Sequence, residues 1–216
     1  TLYSAALANY LAGEDLNGAQ PEVLIEMNSE LDGRCNTRFS FYYGTDPPPP
    51  FHVHFRTVLS HELIHGLGFQ SFLDYDSGLG EDGALDQMSH VLFDTHFEQY
   101  WDEVSSFRRA HTSRSDVLVW NAPAMNRTAV REYDSDSLHQ SGYMPMYTPK
   151  VFEPGSSVTH FGSSLSPNDL MQPVPKTDPT HMGAIAALDD LGWITQLPDD
   201  DADGIGEVSD NCKDVA

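Results

Sequence analysis

The sequence predicts an α+β domain, and three observations carry that prediction. Short runs of alternating apolar and polar residues lie near the start of the chain. Segments of helical period follow them and recur near the end. Between the two groups runs a long stretch rich in Pro, Gly and Ser.

Residues 3–12 place Ala and Leu at helical spacing and stop at Gly13, a short helix. Residues 22–28 (EVLIEMN) and 38–43 (RFSFYY) read as strands; in the second, Phe39, Phe41 and Tyr43 alternate with polar or smaller residues. Pro47–Pro50 form a stiff extended stop. FHVHF at 51–55 alternates again, and a helix is predicted from about Arg56 to Leu67, ended by Gly68. Residues 71–83, with Asp74, Asp76 and several glycines, are a loop. Residues 84–104 set Leu85, Met88, Leu92, Phe93, Phe97, Tyr100 and Val104 roughly on one face, which predicts a long helix. A further helix is predicted within 105–115 and a strand at 118–120. Residues 121–175 read as mostly irregular. Residues 180–192 read as a helix between a Thr180 cap and a Gly192 stop. At Pro198 the composition shifts to Asp and Gly. The expected organisation is a domain over 1–197, split into subdomains of about 1–70 and 71–197, followed by an acidic tail over 198–216.

A chain of 216 residues that is 39% apolar can bury a core. The net charge of −22 argues against nucleic acid and against docking on an anionic membrane, since both reward cationic clusters. No run of apolar residues is long enough to span a bilayer. The acids divide into 22 Asp and 11 Glu against only three lysines, Lys150, Lys176 and Lys213. An Asp-rich, Lys-poor composition fits salt adaptation, calcium sites or solubility. The start at Thr1, without Met and without a charged and apolar leader pattern, gives the expectation of a processed or trimmed product. Cys35 and Cys212 either pair, which in an extracellular protein contributes roughly 4–5 kcal/mol through the long loop closed, or stand as separate thiols.

The informative segment is HELIH at 61–65. On a helix, residues four apart lie about 40° apart around the axis, so His61 and His65 project from one face at one-turn spacing. Two imidazoles placed so can bind one Zn²⁺, and Glu62 beside them can take a proton from a water polarised by the ion as it attacks a carbonyl. With ten His and eleven Glu in the chain, this pattern is expected by chance on the order of 0.02 times. A hydrolytic zinc site needs a third ligand. Histidines 52, 54, 90, 96, 111, 139, 160 and 181 are available, as are Asp74 and Asp76. His52 and His54 share a strand face, either as a second metal pair or as ordinary strand histidines near the cleft.

HELIHGLGF at 61–69 resembles the metzincin zinc peptidase pattern H-E-x-x-H-x-x-G-x-x-H, except that position 71, where the third His would fall, is serine. The stretch 155–173 places His160 eleven residues before Met171, with Pro173 following. This is similar to the leishmanolysin branch, in which a long insertion precedes the third His and a Met-turn lies beneath the metal. The matching residues span 61–173, about half of the chain. The resemblance implies that His61, His65 and His160 bind zinc, that Glu62 is the general base and that Met171 forms the Met-turn. It also implies a twisted mixed sheet and active-site helix in the first subdomain, an irregular second subdomain, and substrate bordering the strand at 38–44. Tyr143 and Tyr147 are candidates for oxyanion stabilisation.

In the tail, Asp199, Asp201, Asp203, Ile205, Glu207 and Asp210 occupy positions 1, 3, 5, 7, 9 and 12 of a calcium-loop register, with Gly204 at 6. The continuation DNC at 210–212 resembles a thrombospondin type 3 repeat, a secreted Ca²⁺-binding module; the other reading is a solvated acidic linker. If Cys212 belongs to such repeats, Cys35 is not its partner. The resulting expectation is a secreted, extracellular, monomeric zinc endopeptidase acting on protein or peptide. The alternatives are a zinc hydrolase of non-peptide bonds, and a calcium-dependent binding module with a structural or inactive zinc site.

Overall fold

A computed structural model describes residues 1–32, 39–174, 176 and 178–194. Cys35, Cys212 and the calcium-loop residues Asp199, Asp201, Asp203, Ile205, Glu207 and Asp210 lie outside the described residues. The architecture is α+β, with five α-helices and two small sheets among the described residues.

Helix α1 (Ala5–Ala12) begins where the Ser4 hydroxyl accepts from the Leu7 N–H and ends where Gly13 turns left-handed at φ +68°. It buries Leu7, and Tyr10 stacks on Trp193 with ring centroids 4.4 Å apart, which joins the two ends of the domain. Strand β1 (Ser40–Tyr42) runs parallel to β2 (His52–His54), with Tyr42 opposite His54. Helix α2 (Phe55–Gly66) follows β2 without a loop. Gly68, at φ +123°, then reverses the chain so that the Phe69 N–H reaches the Ile64 carbonyl. Phe69 is fully buried, stacked on Trp120 at 5.3 Å and edge-on to Phe161 at 5.0 Å. This aromatic cluster is the centre of the core.

The remaining strands form one antiparallel sheet ordered β4 (Gln99–Tyr100), β3 (Leu92–Asp94), β5 (Leu118–Trp120), β6 (Met144–Pro145). Helix α3 (Ser106–Thr112) is capped by Ser105, and α4 (Pro123–Glu132) packs on α5 (Met182–Leu191). The Asp190 carboxylate joins three elements, accepting from Trp120 Nε1 and from the Ala124 and Met125 N–H groups at the start of α4.

Several elements differ from the sequence expectation. The long helix over 84–104 is absent. The buried Asp86 caps a 3₁₀ turn at Gln87–His90, and its other oxygen accepts from Ser71 and Phe72. Asp94 accepts from the His96 and Phe97 N–H groups and closes a turn between β3 and β4. Met88 and Leu92 are buried all the same, so the apolar spacing is met by a turn and a strand. Residues 121–175 are mostly irregular as expected, apart from α4, which starts at Pro123, a residue suited to a first helical turn. The strands form two sheets rather than one mixed sheet, and the larger sheet lies within 71–197 rather than in the first subdomain.

Residues 22–28 alternate as expected, with Val23, Ile25 and Met27 half-buried and their neighbours exposed, but no strand pairs with them among the described residues. The inward side chains lie against α2 instead. A methyl at Gly66 would stand 2.4 Å from Val23 Cγ1. Gly→Ala inside a helix ordinarily stabilises by about 1 kcal/mol. Gly66→Ala is expected to destabilise instead, by about 1–3 kcal/mol in urea denaturation, because Val23 cannot yield without displacing its segment. The double variant Val23→Ala, Gly66→Ala should recover most of that loss. Two losses that simply add would show that 22–28 does not press on α2.

Candidate metal centre

Helix α2 presents His61 and His65 from one face with ring centroids 4.8 Å apart, and the loop before Phe161 brings His160 to the same point across 95 or more residues of chain. The three Nε2 atoms are mutually 3.0 Å (His61–His160), 3.2 Å (His61–His65) and 3.3 Å (His65–His160) apart. Each Nδ1 faces a backbone carbonyl: His61 that of Leu170 at 2.7 Å, His65 that of Phe69 at 2.7 Å, His160 that of Ser156 at 2.9 Å. A carbonyl only accepts, so each Nδ1 carries the proton and each Nε2 is left with a lone pair.

Three lone pairs converging at this separation repel one another unless a cation lies between them. An ion with tetrahedral bonds of 2.0–2.1 Å to nitrogen sets its ligand atoms about 3.3–3.4 Å apart, so the triad, at 3.0–3.3 Å, is close to the spacing one such metal ion needs. Burial, reinforced by the neighbouring His65 and His61, pushes the His160 imidazole down to about 3, and burial likewise lowers His65; both favour the neutral form a metal needs. Among the described residues this is the one cluster of three or more His, Cys, Asp or Glu side chains with metal-binding geometry.

The supporting carbonyls explain the local sequence. The left-handed Gly68 returns Phe69 to His65. Leu170 and Met171 sit in one turn. The buried Asp169 fixes that turn, accepting from the Met171 N–H at 2.8 Å and from Tyr133 at the end of α4 and Gly183 in α5. Met171 itself is fully buried, and its carbonyl accepts from the Phe161 N–H beside His160. Two residues before His160, Val158 is held at φ +73°, a costly conformation for a β-branched residue that its N–H bond to the Tyr147 carbonyl maintains.

Glu62 is half-buried on α2. It lines a cavity of about 350 Å³ with residues 23–28 and makes no hydrogen bond or ion pair among the described residues. Glu62 thus follows His61 directly on α2 with no hydrogen bond or ion pair among the described residues engaging its carboxylate. The other candidates are otherwise engaged: His90 pairs with Asp102, His139 with Ser141, Asp74 with Ser77, and Asp76 with Arg114. His52, His54, His96, His111 and His181 also lie outside the cluster. Tyr147 donates to Glu153, and Tyr143 packs near Phe93. The outer edge of β1 is partly closed, because the Phe41 N–H already donates to Asp32. The three carbonyl acceptors and Asp169 carry no signal in residue type that would have marked them from sequence. No family model, curated protein or solved structure matches the chain.

Proposed function

We propose that the protein is a zinc-dependent endopeptidase of metzincin type, resembling the leishmanolysin branch, and that it acts outside the cell. The observation that carries this reading is the convergence of three Nδ1-protonated imidazoles with an unpaired carboxylate adjacent on the same helix. His61, His65 and His160 would hold the ion. Bound there, zinc supplies Lewis acidity, polarising a carbonyl and bringing the pKa of water to about 7. Glu62 accepts the proton of the attacking water and returns it to the leaving amine nitrogen. The carbonyls of Leu170, Phe69 and Ser156 hold the imidazoles in tautomer and orientation, and Asp169 holds the Met171 turn that supplies the first of them. The tail residues 199–210 would take Ca²⁺ as a separate, structural ion.

Zinc-loaded protein is expected to cleave denatured casein, and a chelator should abolish cleavage until zinc is restored. Cleavage of a non-peptide ester with casein left intact would overturn the peptidase reading. Chelation should also lower the melting temperature by about 5–15 °C, since an ion in large excess over its Kd contributes about 4 kcal/mol to a domain of this size. An unchanged melting temperature would show that the triad does not hold the ion.

A further inference from the structure

The start of α2, strand β2 and the chain just beyond Met171 enclose a second cavity, of about 140 Å³, lined by His52, His54, Thr57, Val58, Val174 and Lys176. It lies one turn of α2 before His61 and Glu62, because Val58 precedes them by three and four residues and also lines the cavity beside Glu62. Its wall on the other side begins three residues after Met171.

The chemistry of this cavity is opposite to that of the chain. The protein carries −22 with only three lysines, yet one of the three stands here beside two histidines, and no carboxylate lines the cavity among the described residues. His54 is 4% exposed, and neither of its ring nitrogens has a partner among the described residues. A buried imidazole without partners is costly unless something supplies an acceptor for its N–H. His54 packs against Tyr42 at 5.3 Å, and that ring contact leaves its hydrogen-bonding capacity unused. Its own chain neighbours do not satisfy it, although His54 occupies the N-cap position of α2. His52 is exposed at the rim, with Nδ1 held by the Pro50 carbonyl at 3.1 Å. Lys176 is exposed and reaches Asn168 at 2.8 Å.

We propose that this cavity receives the carboxylate side chain of an acidic residue in the bound peptide, with His54 donating from its floor and His52 and Lys176 from its rim. The inference rests on the peptidase reading for the identity of the ligand as a peptide. The cavity's chemistry stands by itself: a small hollow with largely apolar walls, including Pro48 and Val53, and an unsatisfied buried imidazole accepts a short group whose aliphatic part meets the walls and whose oxygens meet the few donors. A carboxylate answers the donors and the charge together, whereas an amide of equal shape answers only part of the donor set.

The test uses two peptides identical except for one central Glu or Gln, and full-length, zinc-loaded protein carrying Glu62→Ala so that neither peptide is consumed. Binding is followed by fluorescence anisotropy. The Glu peptide is expected to bind about tenfold more tightly than the Gln peptide, and the ratio should fall to about one in His54→Phe. Because a buried substitution can disturb folding, Lys176→Gln at the exposed rim serves as the second variant and should reduce the ratio about threefold. Equal binding of the two peptides, or a ratio unmoved by both variants, would overturn the assignment. Those outcomes are distinct from failure of the peptidase reading. If the protein with Glu62 intact cleaves neither peptide while the Glu preference and its loss in the variants persist, the cavity assignment holds and the catalytic one falls.

Discussion

Replacing His160 with Ala is expected to cost the protein its zinc. In the wild type the three Nε2 atoms define one point from three sides, and the two that remain lie on one helix face, 3.2 Å apart. An ion held by those two alone has lost the ligand that crosses from the far side of the cleft. Partners that merely orient a ligand are worth about 10–100-fold in metal affinity, so loss of a ligand should exceed about 100-fold. After dialysis, metal analysis should find about one equivalent of zinc in the wild type and a small fraction of that in the variant. One equivalent retained by folded His160→Ala protein would remove His160 from the site. A stability measurement separates this from unfolding. Without metal, three imidazole lone pairs face one another at 3.0–3.3 Å, and removing one relieves that repulsion. The relief offsets part of the cost of deleting a buried ring. Metal-free variant and metal-free wild type should therefore melt within a few degrees of each other, with the zinc-loaded wild type well above both.

The candidate metal site was largely legible in the sequence, for a physical reason. HELIH places two imidazoles and a carboxylate by helix geometry alone, and no tertiary information is needed to predict that His61 and His65 share a face. His160 is different. Nothing local links it to a helix 95 residues earlier, and only a resemblance in the order and spacing of motif residues singled it out among ten histidines. The carbonyls that fix the three rings belong to Leu170, Phe69 and Ser156, whose side chains are unrelated to the task, so residue type could not reveal them. The cavity at His54 was half visible: the shared strand face of His52 and His54 was readable, but the missing partner of His54 is a property of packing.

The fold was legible where signals are local. Gly13 and Gly192 end helices as expected because a left-handed turn is open to a residue without a side chain, whereas the caps Ser4 and Ser105 were not singled out. It was misread where tertiary contacts decide. The run from Leu85 to Val104 carries a helical period, yet the Asp86 and Asp94 carboxylates each take backbone N–H groups that a helix would need for itself. Residues 22–28 have a true period of two, but the surface they cover is a helix whose Gly66 leaves room for Val23. Helix α4 lies inside the Pro-, Gly- and Ser-rich stretch, where Pro123 suits a helix start because the missing N–H costs nothing there.

Glu62→Ala should separate metal binding from chemistry. The metal-ready cluster consists of three imidazoles and no carboxylate, so removing Glu62 leaves the ligand set intact, and zinc content should stay at about one equivalent. Glu62 makes no hydrogen bond or ion pair among the described residues and is only half-buried, so its loss should change stability by less than about 1 kcal/mol. The reaction, in contrast, loses the group that takes the water's proton and delivers it to the leaving nitrogen. General acid–base catalysis by one positioned side chain contributes about 10²–10⁴-fold, and here one carboxylate serves both transfers, which places the expected loss in kcat toward the upper end. KM should change little, since the proton is transferred in the transition state and not in the ground-state complex. Zinc-loaded Glu62→Ala protein that still cleaves casein within about tenfold of the wild-type rate would sink the mechanism. A variant that loses zinc along with activity would instead make Glu62 part of the metal site, contrary to the three-imidazole geometry.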